Sequence, residues 1–263
     1  MRCFGLGPKQ EFMRKAFHFA ALLLLLGTAS LTSAKDHFYW GVATASFQSE
    51  GFPAPSDWKA WTESEGKIHD GSTAENTVNF LKRYREDISL IKELGANAFR
   101  MSLAWDRIEV NKGNYTKGEW QRYADMISLL EKKGIEPMLT CFHFVLPKWL
   151  ADEGGVLSPN FPEAFADYCS SAIKELSKRK VIPKYLFTIN EPNVLLHQGY
   201  MLGIWPPGIK DNNKLIQGLA QLARAHNLAY SRIKNDFPKI QIGIAKHIRA
   251  FHPKNKWNPL DQA

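Results

Sequence analysis

The sequence predicts an α/β fold in which parallel strands alternate with covering helices, and three observations support this prediction. Short apolar runs alternate along the chain with longer segments whose apolar residues recur at helical spacing. Two of the helical segments end at a glycine, Gly95 or Gly134, directly before the next apolar run. The composition, 44% hydrophobic and 12% aromatic over 263 residues, is typical of a globular chain with ample material for a core.

The first two strand–helix units occupy the segment from 38 to 133. A strand is predicted at 38–43 (FYWGVA), which runs into SFQSEG, and a helix at 79–94. That helix carries apolar residues at helical spacing, namely Leu81, Tyr84, Ile88 and Ile91. The second strand is predicted at 97–104 (NAFRMSLA) and the second helix at 118–133. The apolar face of the second helix consists of Trp120, Tyr123, Ile127 and Leu130.

The third unit combines a strand at 136–144 (EPMLTCFHF) with a helix at 162–178. Cys141 lies in the strand and Cys169 on the apolar face of the helix, so both are interpreted as small core residues. Two such cysteines predict no disulfide framework.

The fourth strand is predicted at 184–190, where the apolar run YLFTI ends in a polar residue. Pro183 and Pro192 bound this segment, and the pair Asn190-Glu191 lies at its end. A carboxylate at the end of a buried strand is either a packing residue or a catalytic group.

A helix at 213–236 and a strand at 240–246 (IQIGIAK) follow. His226 lies on the apolar face of that helix and is interpreted as structural. Four strand–helix units and a fifth strand indicate a parallel sheet covered by helices. No GxGxxG follows the first strand, which disfavours a dinucleotide-binding fold and favours an eight-stranded (β/α)8 TIM barrel.

Polar residues follow the predicted strands at the positions where such barrels carry function. Gln48 and Glu50 come after the first predicted strand. The second strand carries Arg100 and is followed by Trp105 and Arg107. The third strand ends in His143 and the fourth in Asn190-Glu191. This set is suited to binding hydroxyl groups and moving protons. Each residue also has a structural alternative: a turn cap for Gln48, a core histidine for His143, an ion-pair partner for Arg100 and Glu191.

Five motifs together resemble glycoside hydrolase family 1, the retaining β-glycosidases. They are FYWGVATASFQSEG, RYREDISLIKELGANAFRMSLAWDRI, EPMLTCFHFVLPKWL, TINEPN and GYMLGIWPPG, in the order and roughly the spacing of that family. The resemblance covers nearly all of 37–263. It implies that the chain contributes about four to five βα units of a (β/α)8 TIM barrel and acts on β-O-glycosidic bonds of a β-glycoside or oligosaccharide.

The resemblance also implies residue roles. Glu191 is the expected general acid/base, Asn190 holds the sugar 2-hydroxyl, and Gln48 and His143 bind other hydroxyls of the glycone. Arg100 is expected to lie beneath the nucleophile and keep it ionised. No cofactor or metal is implied, and no metal-binding spacing such as HExxH is present.

One residue departs from the family pattern. The family commonly has a Trp directly after the glycone-binding His, whereas this chain has Phe144. An indole N–H donor is therefore absent at that position, which leaves the preferred sugar epimer open. Trp105, Trp149 and Trp205 are assigned to either the cleft or the core.

Retaining hydrolysis requires a second carboxylate about 5 Å from the acid/base. In the family it lies in a Glu-Asn-Gly motif after the seventh strand, and the 263 residues contain no such sequence. The chain is therefore expected to be the N-terminal half of a glycosidase. Three interpretations stay open: a truncated reading frame, a half that assembles with a separate C-terminal chain, and a non-catalytic sugar-binding or scaffold protein.

The N-terminal segment predicts secretion. Residues 1–34 are interpreted as a signal segment whose true start is Met13, with a basic opening, an apolar run at 16–26 and small residues before Lys35. Residues 35–263 then form the half-barrel, in a secreted or periplasmic protein; an uncleaved membrane anchor is the alternative. The net charge of +8 is scattered, without a basic stripe interleaved with aromatics, so nucleic acid is not an expected partner.

Overall fold

The computed structural model describes residues 38–249 and residue 257. Within them the chain forms one parallel sheet whose strand order follows the sequence, with β1 next to β2 and so on to β5. The strands are β1 (Gly41–Ala43), β2 (Ala98–Ser102), β3 (Glu136–Phe142), β4 (Tyr185–Asn190) and β5 (Gln241–Ala245). The predicted alternation of strands and helices is confirmed.

The helices divide into long ones that connect successive strands and short ones in the loops. The long helices are α3 (Phe80–Glu93), α5 (Lys117–Lys132), α7 (Phe161–Lys178) and α9 (Asn212–Asp236). Their bounds lie within one residue of the predicted ones, because their apolar faces and end signals are strong. The short ones are α1 (Ser46–Ser49), α2 (Asp57–Glu63), α4 (Trp105–Ile108), α6 (Lys148–Asp152) and α8 (Pro192–Leu196). Single turns of 3₁₀ helix lie at Ala74–Asn76 and Gly155–Leu157, and a π-helical turn lies at His197–Met201.

The strands are shorter than their apolar runs predict, and the reason is visible for β1 and β3. β1 begins at Gly41 because the backbone N–H of Trp40 donates to the Asn97 side chain at 2.7 Å instead of to a strand. β3 ends at Phe142, so His143 lies just beyond the strand. Phe144 has a φ of 74°, which takes the backbone out of the extended conformation at that point.

The two faces of the sheet differ in burial. Met101 and Leu139, paired in the register of β2 and β3, are buried under the long helices. Arg100 and Met138 form the next pair on the opposite face and are only half-buried. The core therefore lies between the sheet and the long helices, and the other face is open.

Two cysteines predicted to be core residues and one tryptophan with an open assignment belong to this core. Cys141 and Cys169 are buried free thiols, which confirms their predicted packing role. Trp105 is 1% exposed and stacks on Tyr168 with a ring-centroid distance of 4.7 Å, so it is a core residue rather than a cleft residue.

Two sequence predictions concern the membrane and the N-terminus. In the described part of the chain, no helix is both long and apolar enough to cross a bilayer. The signal segment at 1–34 lies outside the described residues.

Candidate active site

Arg100 and Asn190 meet at the carboxyl edge of the sheet. An Nη2–H of Arg100 donates a hydrogen bond to Oδ1 of Asn190 at 2.7 Å. Asn190 is 2% exposed, and the Arg100 guanidinium also lies 5.6 Å from the centre of the Phe187 ring. The bond fixes the Asn190 amide so that its NH₂ group stays available as a donor.

A β-bulge in β4 makes this contact possible. Thr188 faces the helices, since its Oγ1 lies 2.7 Å from Nδ1 of His226 on α9. Simple alternation would turn Asn190 to that same side. The register shift between Phe187 and Asn190 adds one residue to β4 and brings Asn190 to the face that carries Arg100.

Glu191 follows the bulge in a left-handed backbone conformation with a φ of 43°. Its N–H donates to the carbonyl of Ala245 at 2.6 Å, which holds this conformation against its intrinsic cost of about 1–3 kcal/mol. The side chain is 34% exposed, with Nδ1 of His247 at 3.9 Å from Oε1. It lines an open cleft of about 500 Å³ together with His197 and Gln198.

The charges around Arg100 are incompletely matched. Burial lowers the pKa of Arg100, and the nearby Glu191 carboxylate opposes that effect. The Nε–H of Arg100 is buried without a hydrogen-bond partner among residues 38–249. A buried charged donor of this kind calls for an acceptor, and a carboxylate is the group that best satisfies it.

Gln48 and His143 line a second, smaller pocket of about 150 Å³. Gln48 is exposed on the short helix α1, and His143 is half-buried directly after β3. Burial, together with the Arg100 charge, lowers the pKa of His143 to about 4, so its imidazole is neutral at neutral pH. Its Nδ1 is buried without a partner among the described residues, which leaves hydrogen-bonding capacity on the ring.

Aromatic side chains form the rest of this second pocket: Phe47, Trp58, Phe144 and Trp205. Trp205 is thus the cleft residue of the three tryptophans left open by the sequence. Trp149 instead packs against the core and donates its indole N–H to the carbonyl of Glu109 at 3.0 Å.

Two of the polar residues after the strands prove to be structural. Glu50 is 2% exposed and accepts a hydrogen bond from the Tyr123 hydroxyl at 2.9 Å. Nη2 of Arg107 lies 3.4 Å from the other Glu50 oxygen. Glu50 and Arg107 therefore tie the loop after β1 to the loop after β2, and neither belongs to the open edge.

Sequence reasoning missed Asp57 and Trp58. The Asp57 carboxylate accepts the backbone N–H groups of Trp58 and Leu146, at 2.7 and 2.9 Å. This joins α2 to the loop after His143 and places Trp58 in the pocket. Ser56, whose Oγ accepts from the Lys59 N–H, is a helix cap readable in the sequence. The burial of Asp57 cannot be read in the sequence, because it depends on a segment about ninety positions away.

The described residues contain no cluster of three or more His, Cys, Asp or Glu side chains able to hold a metal ion. The edge of the sheet instead presents a carboxylic acid, two amides, a neutral imidazole and an arginine beside aromatic rings. A parallel barrel-type sheet with this edge has the side chains suited to binding hydroxyl groups and moving protons.

The chain belongs to glycosyl hydrolase family 1, since the sequence model of that family matches residues 31–263. Its relatives include an aryl-phospho-β-D-glucosidase of Bacillus subtilis, which is 35% identical over 80% of this chain and 45% of the relative. β-Glucosidase A of Acetivibrio thermocellus is 32% identical over 87% of this chain and 51% of the relative. The chain thus spans about half the length of these relatives.

The fold is also that of solved β-glucosidase structures. The β-glucosidase of Thermotoga maritima in complex with deoxynojirimycin matches with a TM-score of 0.79 and 30% sequence identity. The match covers 84% of this chain and 52% of that one. The described sheet therefore corresponds to part of a (β/α)8 barrel, as the sequence predicts.

Proposed function

We propose that this chain carries the acid/base half of a retaining β-glycosidase site. The observation that carries the proposal is the position of Glu191, held by the bulge beside the Arg100–Asn190 pair at the edge that also presents Gln48 and His143. The names of the relatives, which include β-glucosidases, support a β-glucoside as substrate.

Glu191 acts as the general acid, protonating the oxygen of the leaving group, and then as the general base that activates water. The Asn190 NH₂ group donates to the sugar 2-hydroxyl, a contact that strengthens in the transition state. Gln48 and the neutral His143 bind the remaining hydroxyls of the glycone.

The second carboxylate is the remaining requirement of the mechanism. We propose that it comes from a C-terminal half of the barrel and that it accepts the unpaired Arg100 Nε–H. Arg100 then keeps the nucleophile ionised, because a nearby cation favours the charged form of a carboxylate.

The test compares the 263-residue chain alone with the same chain joined to, or mixed with, the C-terminal half of the Thermotoga maritima β-glucosidase. We expect negligible hydrolysis of 4-nitrophenyl β-glucoside by the chain alone. The completed protein should hydrolyse it, with the β-anomer of glucose as the first product seen by NMR. Hydrolysis by the chain alone that Glu191→Gln abolishes would show that another carboxylate serves as nucleophile. Hydrolysis by the completed protein that survives Glu191→Gln with a poor leaving group would contradict the role of Glu191.

We further propose that residues 1–34 are removed during secretion and that the mature chain starts near Lys35. The basic, apolar, small-residue order of residues 13–34 supports this. N-terminal sequencing of the exported protein tests it, and recovery of chains that begin at Met13 from the cytosol would contradict it.

A further inference from the structure

We propose that Trp205 is a sugar-binding, specificity-determining residue, which supplies the indole that position 144 lacks. This inference rests on the proposed function for its ligand, a β-linked hexopyranoside. Trp205 would offer the ring face to the C–H surface of the sugar and its Nε1–H to one of the sugar hydroxyls.

The geometry places the Trp205 ring beside Phe144. The two ring centroids are 5.1 Å apart, and Phe144 in turn lies 5.1 Å from the His143 ring. Gln48, His143, Phe144 and Trp205 all line the same pocket of about 150 Å³. An indole from a distant loop therefore stands next to the residue that follows His143.

Trp205 has an unused donor. Phe144 has no polar side-chain atom, and the Trp205 indole nitrogen makes no hydrogen bond to another residue of the described range 38–249. Trp205 is also only half-buried, so its face is reachable from the pocket. Rigid aromatic groups with one polar atom are well suited to ligands with an apolar face and a polar edge.

The loop that carries Trp205 is held in place. The Trp205 N–H donates to the Gln198 carbonyl at 3.3 Å, and the Gly208 N–H donates to the Trp205 carbonyl at 2.7 Å. Gly199 packs so closely on Pro206 that an added Cβ would lie 2.5 Å from the Pro206 oxygen. The ring also rests on Trp58 with a centroid distance of 5.3 Å, which fixes its orientation. Trp205 is therefore positioned for binding before a ligand arrives.

The test measures binding rather than hydrolysis, in the 263-residue chain labelled with ¹⁵N at its tryptophan indoles. The probes are deoxynojirimycin and a series of methyl β-D-glucosides that each lack one hydroxyl. We expect the Trp205 indole signal to shift on titration. Trp205→Phe keeps the ring but removes the donor, and should weaken deoxynojirimycin binding about 2- to 12-fold, the range for one neutral hydrogen bond.

The deoxy series and two further variants sharpen the result. Trp205→Phe should abolish the discrimination against one member of the deoxy series and leave the others unchanged. Phe144→Trp in the Trp205→Phe background should restore binding, because it returns an indole to the same pocket wall. Trp40→Phe is the matched control, since Trp40 precedes β1 at the opposite edge of the sheet, and should bind like the wild type.

The proposal would be overturned if the Trp205→Phe variant bound with wild-type affinity and the Trp205 indole signal did not shift in the titration of the wild type. The absence of any binding by the wild-type chain would also overturn it. Failure of the proposed function is distinguishable from this outcome. A completed protein that binds deoxynojirimycin through Trp205 but does not hydrolyse β-glucosides would contradict the function alone. Hydrolysis that is indifferent to Trp205→Phe would contradict the role of Trp205 alone.

Discussion

Two glutamates follow strands of the same sheet, yet the fold gives them opposite environments. Glu50 follows β1 and is 2% exposed, with Tyr123 and Arg107 as partners. Glu191 follows β4, is 34% exposed at its side chain and faces an open cleft. The two residues share their type and their position after a strand, but burial and hydrogen-bond partners separate the structural acid from the proposed catalytic one.

The backbone shows the same contrast. Glu50 lies at the end of α1 with an ordinary helical φ of −76°, whereas Glu191 is held at a φ of 43°. Backbone strain at an exposed carboxylate is characteristic of functional sites, where the surrounding structure maintains a conformation that the residue does not favour. The difference suggests that Glu50 serves stability and Glu191 serves function, and four predictions test it.

The largest expected effect is on hydrolysis by the completed protein. Glu191→Ala should lower the rate with poor leaving groups about 10²- to 10⁴-fold, because they require protonation to depart. With an activated aryl glucoside the first step should survive and the second should stall. Azide, an anionic nucleophile that needs no base, should restore turnover and yield a β-glucosyl azide. The anomeric configuration by NMR is the measurement, and an α-azide would contradict the assignment.

The second prediction concerns stability at pH 8, measured by urea unfolding. Glu50→Ala should lower the free energy of unfolding by about 3–5 kcal/mol, since it removes the buried carboxylate that pairs with Arg107 and accepts from the Tyr123 hydroxyl. The matched variant Glu191→Ala should change it by no more than about 0.5 kcal/mol. Equal losses in the two variants would remove the distinction drawn between the two glutamates.

The third prediction concerns pH. Burial raises the pKa of Glu50 from 4.5 to about 7, against the effects of Arg107 and Tyr123. The stability that arises from the raised pKa is therefore fully present below pH 4.5 and lost as the pH rises through about 7, while the contacts of Glu50 with Arg107 and Tyr123 remain. Relative to Glu50→Gln, the wild type should lose about 3 kcal/mol between pH 4 and pH 9, at about 1.4 kcal/mol per pKa unit.

Other groups make the comparison with Glu50→Gln necessary. Burial also raises the pKa of Asp57 to about 7 and of Asp106 to about 6, which gives the same sign. His143 has the opposite sign: its pKa is lowered to about 4, so its contribution is lost as the pH falls through that value. The difference between wild type and variant isolates Glu50, and parallel pH profiles of the two proteins would show that Glu50 is not the titrating group.

The smallest effect is expected on the far side of β4. Thr188→Val removes the hydrogen bond to His226 and should lower the free energy of unfolding by about 1 kcal/mol. Because Thr188 faces the helices, kcat/KM of the completed protein should stay at the wild-type value. A large loss of activity without loss of stability would show that the two faces of β4 are not independent.

The sequence was sufficient for most of the architecture. The four long helices appear within one residue of their predicted bounds, because apolar periodicity and terminal glycines are local signals. The parallel order of the strands follows from the alternation of strands and helices. The identity of the candidate acid, Glu191, came from its motif and its place after a buried strand.

Only the tertiary structure separated Glu50 and Arg107 from the open edge, since their pairing depends on Tyr123 in a distant helix. The same holds for Asn190, which reaches Arg100 through a bulge that alternation along β4 does not predict. It holds as well for Trp205, which a loop brings beside Phe144. Local spacing determines which residues form strands and helices, whereas burial and partners arise from contacts between segments far apart in the chain, and these decide what each polar residue can do.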